Sequence, residues 1–527
     1  MSEITQSANI GARAATGAAL MVVARLLTRA IDLGSMLVLT RILLPADFGL
    51  VAIAGSLCAM METILELQIN QALLRLPVVG RSYYDTAFTI GLIRGAVLMA
   101  ILVLSAIPLA RFYHDVRLLP LVCFLGLSPV MRGIMSPRMV VFQKNLSFYR
   151  DFAIEISGKS ISFIFGTAMA LLTHSYWAIA LNTVMYSGAM MVQSYCFAPY
   201  RPRLTLREFH VFTGFIGWLT VAQIVSALNW QFERLLLGKV MSRSGLGMFS
   251  TAVDITNIPF LALFGPMSRP LLAAFSHLAD NREKLAASYQ KTSIAMATVG
   301  LPLLVGESLV ADSAVRVIVG PAWMGAAPMV RWLALSLTPA VFTLATWPLL
   351  LAFGRTQALL RRNLLEFGIK FPLAVCGVLW IGFSAIIAAR FASELASDIF
   401  GLFLVRSLTD LGVWEQVLGW KRSAGAVLFM AMVVEGLKWF LPPVDTLAHA
   451  VIDLFSCSVC GIVAYVGGLY ALWFAEGRPN SIEKLVFDRS CIILSSLKER
   501  RSVMSRKNVS FSIGKPAVEH GSQDTLN

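Results

Sequence analysis

Apolar residues recur along this chain in runs of about twenty, the length a helix needs to cross hydrocarbon, from residue 17 to residue 475. Short polar stretches separate them. The predicted spans are 17–40, 46–69, 86–110, 116–136, 152–172, 175–198, 212–237, 246–275, 292–311, 326–352, 363–382, 385–405, 424–440 and 447–475. The pattern therefore predicts an all-α polytopic membrane protein with about fourteen transmembrane helices. No small-residue cleavage site follows the first run, which reads as a retained span rather than a signal peptide.

That first run is interrupted by Arg25, Arg29 and Asp32, spaced i, i+4, i+7, so all three project from one helix face. A charge at mid-bilayer costs roughly 2.5–3.5 kcal/mol on insertion scales. Three on one face point to a wet passage for something polar. The alternative is a packed seam in which Asp32 neutralises Arg29. Other spans carry charge too. Glu62 and Glu66 lie one turn apart in the second, Arg94 lies in the third, and Glu233 with Arg234 lies in the seventh. Asp254 is in the eighth and Arg331 in the tenth; Arg390, Glu394 and Asp398 share a face of the twelfth. The candidate cavity residues are Arg25, Arg29, Arg94, Lys159, Arg234, Arg331, Lys370 and Arg390. Arginine offers a planar fork suited to phosphate oxygens. Asp32, Glu62, Glu66, Glu155, Asp254 and Glu366 are candidates for ion coupling or charge pairing, since close carboxylates in low dielectric suit proton binding.

Composition agrees with the hydropathy. The 527 residues are 57% hydrophobic and 14% charged, with a mean hydropathy of +0.72, where a soluble protein carries about 25% charged residues. The net charge of +14 does not collect on a soluble domain, which argues against a nucleic-acid partner. It sits in alternate loops. One set carries basic residues from Arg75 and Arg81 through Arg201, Arg203 and Arg207 to Lys421 and Arg422; the other holds Arg41, Arg111, Arg117, Lys239, Arg243 and Arg316. By the positive-inside rule both termini are cytoplasmic. The seven cysteines fall mainly in apolar runs and imply no disulfide framework. His449, Asp453, Cys457 and Cys460 share a helix face, which reads as a polar seam or, less simply, a metal or redox site. No nucleotide-binding loop and no hydrolase motif is present, and no cofactor or metal is called for.

The chain also echoes itself. Arg41 to Leu50 and Lys239 to Met248, 198 residues apart, each place a basic residue eight positions before a glycine. Glu155 with Lys159 is matched by Glu366 with Lys370 at an offset of 211. Two echoes in the same order argue for duplication of a six-span unit, with parallel copies and a passage at their interface. The units would be residues 1–200 and 201–410, followed by an extra helix pair at 411–475 and a cytoplasmic tail at 476–527. Ile482, Leu485, Ile492 and Leu497 among lysines and arginines suggest either a tail helix lying on the inner leaflet or a solvated tail with some apolar residues. Prolines 259, 266, 270, 302, 339, 348 and 372 predict kinks in the eighth to eleventh spans.

The segment Arg41-Ile42-Leu43-Leu44-Pro45-Ala46-Asp47-Phe48-Gly49 after an arginine-rich first helix resembles the start of lipopolysaccharide and exopolysaccharide flippases. These form the polysaccharide-transporter branch of the multidrug/oligosaccharidyl-lipid/polysaccharide exporter superfamily. That family favours Arg-x-Leu-Gly-Pro-x-Asp-Phe-Gly here; Leu44 stands at the first glycine, which should weaken the turn. Gln71-Ala72-Leu73-Leu74-Arg75 fits the family as well. The resemblance implies two six-helix lobes around a central cavity plus a C-terminal helix pair that grooves the lipid tail. It implies a non-enzymatic flippase moving a polyprenyl-diphosphate-linked oligosaccharide across the bacterial inner membrane by alternating access. Its partners would be membrane lipids and a polysaccharide polymerase with export machinery. Two other readings compete. A cation-coupled drug antiporter of the same superfamily would need a carboxylate-dominated cavity. A polymerase or ligase would need a large outward loop.

Overall fold

The computed structural model describes residues 27–477, except 68, 77, 145–147 and 214–217. Arg25 and the tail helix expected around residues 482–497 lie outside the described residues.

Each expected span contains helix among its described residues. We number these helices α1 (27–42), α2 (Pro45–Ile64), α3 (Arg81–Phe112), α4 (Leu118–Gly133), α5 (Phe148–Thr173), α6 (Trp177–Phe197) and α7 (Trp218–Val240). They continue as α8 (Arg243–Phe264), α9 (Arg282–Leu309), α10 (Pro321–Ala352), α11 (Thr356–Ile381), α12 (Phe383–Thr409), α13 (Lys421–Lys438) and α14 (Leu447–Ala475). No strand occurs among the described residues. Nine helices among the described residues are long and apolar enough to cross a membrane. Helices α1, α4, α6, α7 and α12 fall outside that set; of these α7 carries Glu233, Arg234 and Lys239, and α12 carries Arg390, Glu394, Asp398 and Arg406. Large apolar side chains such as Leu104, Leu172, Leu379 and Ile462 point outward, a face that is stable against lipid but not against water. Trp380 and Trp439, at the ends of α11 and α13, are nearly fully exposed, as interfacial anchors are.

The prolines lie inside helices or at breaks between them. Pro259, Pro302 and Pro372 sit inside α8, α9 and α11. After Phe264, α8 passes through a 3-10 turn at Gly265–Met267 into a separate helix, Ser268–His277. Span α10 is assembled from pieces, with 3-10 turns at Pro321–Ala326 and Pro339–Thr343. In each case proline removes an amide donor and crowds the preceding turn.

The echoed segments meet. Helix α2 starts at Pro45 and α8 at Arg243, the same 198-residue shift that relates the sequences. The two helices cross at Gly49 and Gly247. A Cβ on Gly49 would lie 1.9 Å from the Arg243 carbonyl oxygen, and one on Gly247 would lie 1.8 Å from that of Pro45. The contact is reciprocal, and only glycine permits it. The basic residues that open the echoes are reciprocal too. Arg41 donates to the Val317 carbonyl at 2.9 Å, and Lys239 donates to that of Phe112 at 2.6 Å. Leu44 turns out to need no glycine: its φ of −82° and ψ of 153° are ordinary extended backbone. Its amide donates to Asp47 at 3.1 Å, and Pro45 takes the first helical position, which has no amide to satisfy. The turn is therefore not weakened.

Around this crossing lies the largest core, with Leu50, Ile53, Phe249 and Trp323 essentially inaccessible to solvent. Phe48 packs edge-on against Trp323 at 5.0 Å, and the Trp323 indole donates to the Thr40 carbonyl at 3.0 Å.

Candidate functional site

Charged side chains inside the helical bundle gather in two groups. The first is built by α1 to α6. Asp32 on α1 receives Lys159 from α5 at 2.5 Å and Arg29 from its own helix at 3.7 Å. Lys159 also stands over the Tyr186 ring of α6 at 4.8 Å. One layer away, Glu62 on α2 pairs with Arg132 of α4 at 3.1 Å, while Arg94 of α3 donates to the Glu62 carbonyl at 3.0 Å. Arg132 reaches Ser187 of α6 at 3.3 Å.

The second group is built by α7, α11 and α12. Glu233 is nearly inaccessible and forms ion pairs with Lys370 and Arg390, each at 3.4 Å. Lys370 also reaches Glu366 at 3.5 Å. Arg362 lies 3.8 Å from Asp398, whose other partner is the Thr343 hydroxyl. Arg362, Glu366, Lys370, Arg390 and Glu394 line a cavity of about 260 Å³.

The groups mirror one another. In each, a lysine on the fifth helix of its half meets a carboxylate on the first: Lys159 with Asp32, and Lys370 with Glu233. A buried charge is tolerated when paired and hydrogen-bonded, and removing its partner leaves an expensive orphan.

Most candidate residues are thus brought together, with four departures from expectation. Lys159 leaves its i, i+4 neighbour Glu155 for Asp32, and Glu155 has no ion pair among the described residues. Glu66 is not in the helix with Glu62: α2 ends at Ile64, and Glu66 lies beyond the Leu65 cap, near Arg94. Arg234 and Asp254 pair with each other at 2.8 Å, apart from the second cluster. Arg331 is held by Asp312 rather than joining either group.

Three participants lay outside the sequence-derived set. Arg132 lies in the last turn of the helix Leu127–Gly133, near the end of the expected span, where a charge reads as a boundary. Arg362 lies in the second turn of α11, in what reads in the sequence as a cytoplasmic basic loop. Glu307, a lone acid near the end of α9, lines a cavity of about 720 Å³ with Arg29. The face of α14 is a polar seam as expected: Asp453 is buried, accepts from Ser313 of the Ala311–Ile318 helix, and receives the Cys457 thiol at 3.6 Å.

The class is therefore a many-helix membrane protein with charge embedded in corresponding helices of its two echoing segments. Its fold is shared with the lipid II flippase MurJ in an inward closed conformation, with a TM-score of 0.68 and 14% identity over 87% of this chain and 100% of that one. Residues 38–328 match the sequence profile of a family described as polysaccharide biosynthesis protein, and the chain belongs to that family. Its relatives include the lipopolysaccharide biosynthesis protein WzxC of Escherichia coli (strain K12), 23% identical over 60% of this chain and 65% of that protein. They also include the teichuronic acid biosynthesis protein TuaB of Bacillus subtilis (strain 168), 22% identical over 56% of this chain and 62% of that protein. The alignments thus span a little under two thirds of these relatives' lengths.

Proposed function

We propose that this protein is a flippase that moves a polyprenyl-diphosphate-linked oligosaccharide across the bacterial inner membrane by alternating access, serving polysaccharide export. The observation that carries the reading is the twofold recurrence of one arrangement among the helices of the bundle, Lys159 with Asp32 and Lys370 with Glu233. The proposal places residues 1–200 and 201–410 in two six-helix lobes around a central cavity, crossed by fourteen helices in all, with both termini cytoplasmic. Arg25, Arg29, Arg94, Arg132 and Lys159 on one side, and Lys370 and Arg390 on the other, would grip the diphosphate and sugars. Fork-shaped guanidiniums suit phosphate oxygens, and carboxylates hold them in place without saturating them.

The chemistry of the substrate asks for a second surface, because its polyprenyl chain stays in lipid. The cavity of about 720 Å³ bounded by α1, α8, α9, α13 and α14 is lined mostly by apolar groups, with Arg29 at its wall. A diphosphate held at Arg29 would sit where a tail could run along α13 and α14. The names of the relatives, a lipopolysaccharide biosynthesis protein and a teichuronic acid biosynthesis protein, support a glycan-linked substrate. The flippase reading also makes a polymerase and export machinery the expected partners on the outer face.

Deleting the gene in its host tests the reading. Lipid-linked oligosaccharide should accumulate on the cytoplasmic leaflet, surface polymer should fall, and wild-type protein should restore it. The double variant Arg29→Ala, Lys159→Ala should restore little. Normal polymer and no accumulated intermediate in the deletion strain would refute the flippase. Export of cationic dyes by the wild type, lost in carboxylate variants, would favour the antiporter.

A further inference from the structure

Glu307 is the most unusual carboxylate in the described structure. Both of its oxygens are buried and neither has a hydrogen-bond partner. It lies on α9 in the wall of the cavity of about 720 Å³, among Arg29 of α1, Pro259 of α8, Pro302 of α9, Met430 of α13 and Gly461 of α14. The polar group beside it is the buried Thr256 hydroxyl of α8, placed to hydrogen-bond to the carboxylate. Asn257, next along α8, buries a carbonyl oxygen with no donor.

Charged groups on the elements around α9 are engaged elsewhere. On α8, Asp254 is taken by Arg234; beside α10, Asp312 is taken by Arg331. On α12, Arg390 goes to Glu233 and Asp398 to Arg362, while Glu394 lines the separate smaller cavity. On α13, Glu435 pairs with Lys438 and Arg422 reaches Glu476. On α14, Asp453 takes Ser313 and Cys457, and Tyr465 donates to the Thr298 carbonyl at 2.6 Å. Among the described residues, Arg29 is the cation that shares the cavity, and its link to Asp32 is long, 3.7 Å. None of these forms an ion pair with Glu307.

A carboxylate without a counter-charge in an apolar wall is costly, and the cost disappears when a cation joins it. The oxygens present there, a carboxylate and a hydroxyl, are hard donors of the kind small hard cations take. We propose that Glu307, with Thr256, is a binding site for a small monovalent cation, either a proton or sodium. The site neutralises Glu307 in one of two ways, by a bound cation or by Arg29 swinging across the shared cavity. The role of this site in transport rests on the flippase reading above: an anionic headgroup that draws Arg29 away leaves Glu307 to the cation, so that headgroup and cation bind together.

The test uses the purified full-length protein in lipid nanodiscs, so that it does not depend on any transport activity. Two signals are recorded: binding of radioactive sodium, and the infrared carboxyl band that appears and disappears during a pH titration. If sodium is the ligand, wild-type binding falls at least about tenfold in Glu307→Gln and partly in Thr256→Val. If the proton is the ligand, a carboxyl band is lost in Glu307→Gln and moves in Thr256→Val, with no sodium binding. Glu307→Asp, which keeps the charge, should retain the signal in weakened form and serves as the control for folding. The proposal is overturned if Glu307→Gln folds and leaves both signals unchanged, or if Glu307→Gln and Glu307→Asp abolish them equally. Inorganic pyrophosphate, added as a headgroup probe, should tighten cation binding in the wild type but not in Arg29→Ala. A cation signal without that tightening would uphold the site and remove only its link to the headgroup.

Discussion

At the scale of single residues, charge placement decides what a membrane helix does. Lys159 satisfies Asp32 across helices and leaves Glu155 behind, so the two acids should respond differently to removal. Asp32→Asn strands an ammonium group and should cut polymer export about tenfold or more in a complementation assay, whereas Glu155→Gln should leave export near wild type. The charge-reversed pair Asp32→Lys, Lys159→Asp should recover part of the loss. Much of this site was legible in the sequence, because ionisable residues inside apolar runs are few and stand out. What could not be read was pairing. The spacing of Glu155 and Lys159 suggests a self-contained pair, and nothing local announces that Asp32, far away in the chain, is the better partner. Arg132 and Glu307 were missed for a related reason: each lies near the end of a helix segment, where a charge looks like a boundary.

At the scale of elements, the helix beginnings do the joining. The turn after α3 is tied to the start of α8 through Asp115, which takes Arg117 at 2.9 Å and Arg243 at 3.5 Å, while Arg243 also donates to the Tyr113 carbonyl at 2.9 Å. Hydrogen bonding from Arg117 holds the Asp115 carboxyl below the ordinary aspartate value of 3.8. A depressed folded-state value means stability that is complete above the unfolded value and lost as pH falls through the folded one. Thermal stability should therefore decline as pH drops below about 3.8, and Asp115→Asn should remove part of that decline while lowering the stability at neutral pH. Thermal-shift measurements across pH check both. The crossing of α2 and α8 gives a second expectation at this scale. Gly49→Ala or Gly247→Ala must push the helices apart and should cost about 1–3 kcal/mol, seen as a lower melting temperature. The helices themselves followed from hydropathy, and proline positions foretold where α8 and α10 fragment. The extended backbone at Leu44 did not follow, since a family preference for glycine suggested a left-handed requirement that the turn does not have.

For the whole molecule, the repeats in the sequence become reciprocal contacts in space. Arg41 reaches from the first half into the second, and Lys239 reaches back. The echo of 198 residues was visible in the chain; that its two copies touch each other was not, because periodicity says nothing about which faces meet. If the halves are separate lobes, the chain cut between α6 and α7 and expressed as two pieces should reassemble and support export. Failure of the co-expressed pieces to copurify would argue against lobes at 1–200 and 201–410. Reporter fusions at the ends of α6 and α12 should report the cytoplasmic side, in keeping with the basic loops there.

The interlocked pair Gly49 and Gly247 has one more consequence. Backbone rests on backbone there, with no side chain that could swing aside and let the seam loosen by degrees. Parting must therefore happen in one step, both helices withdrawing together. Single-molecule distance recordings between labels on α2 and α8 should show abrupt jumps between two values, with dwell times but no drift.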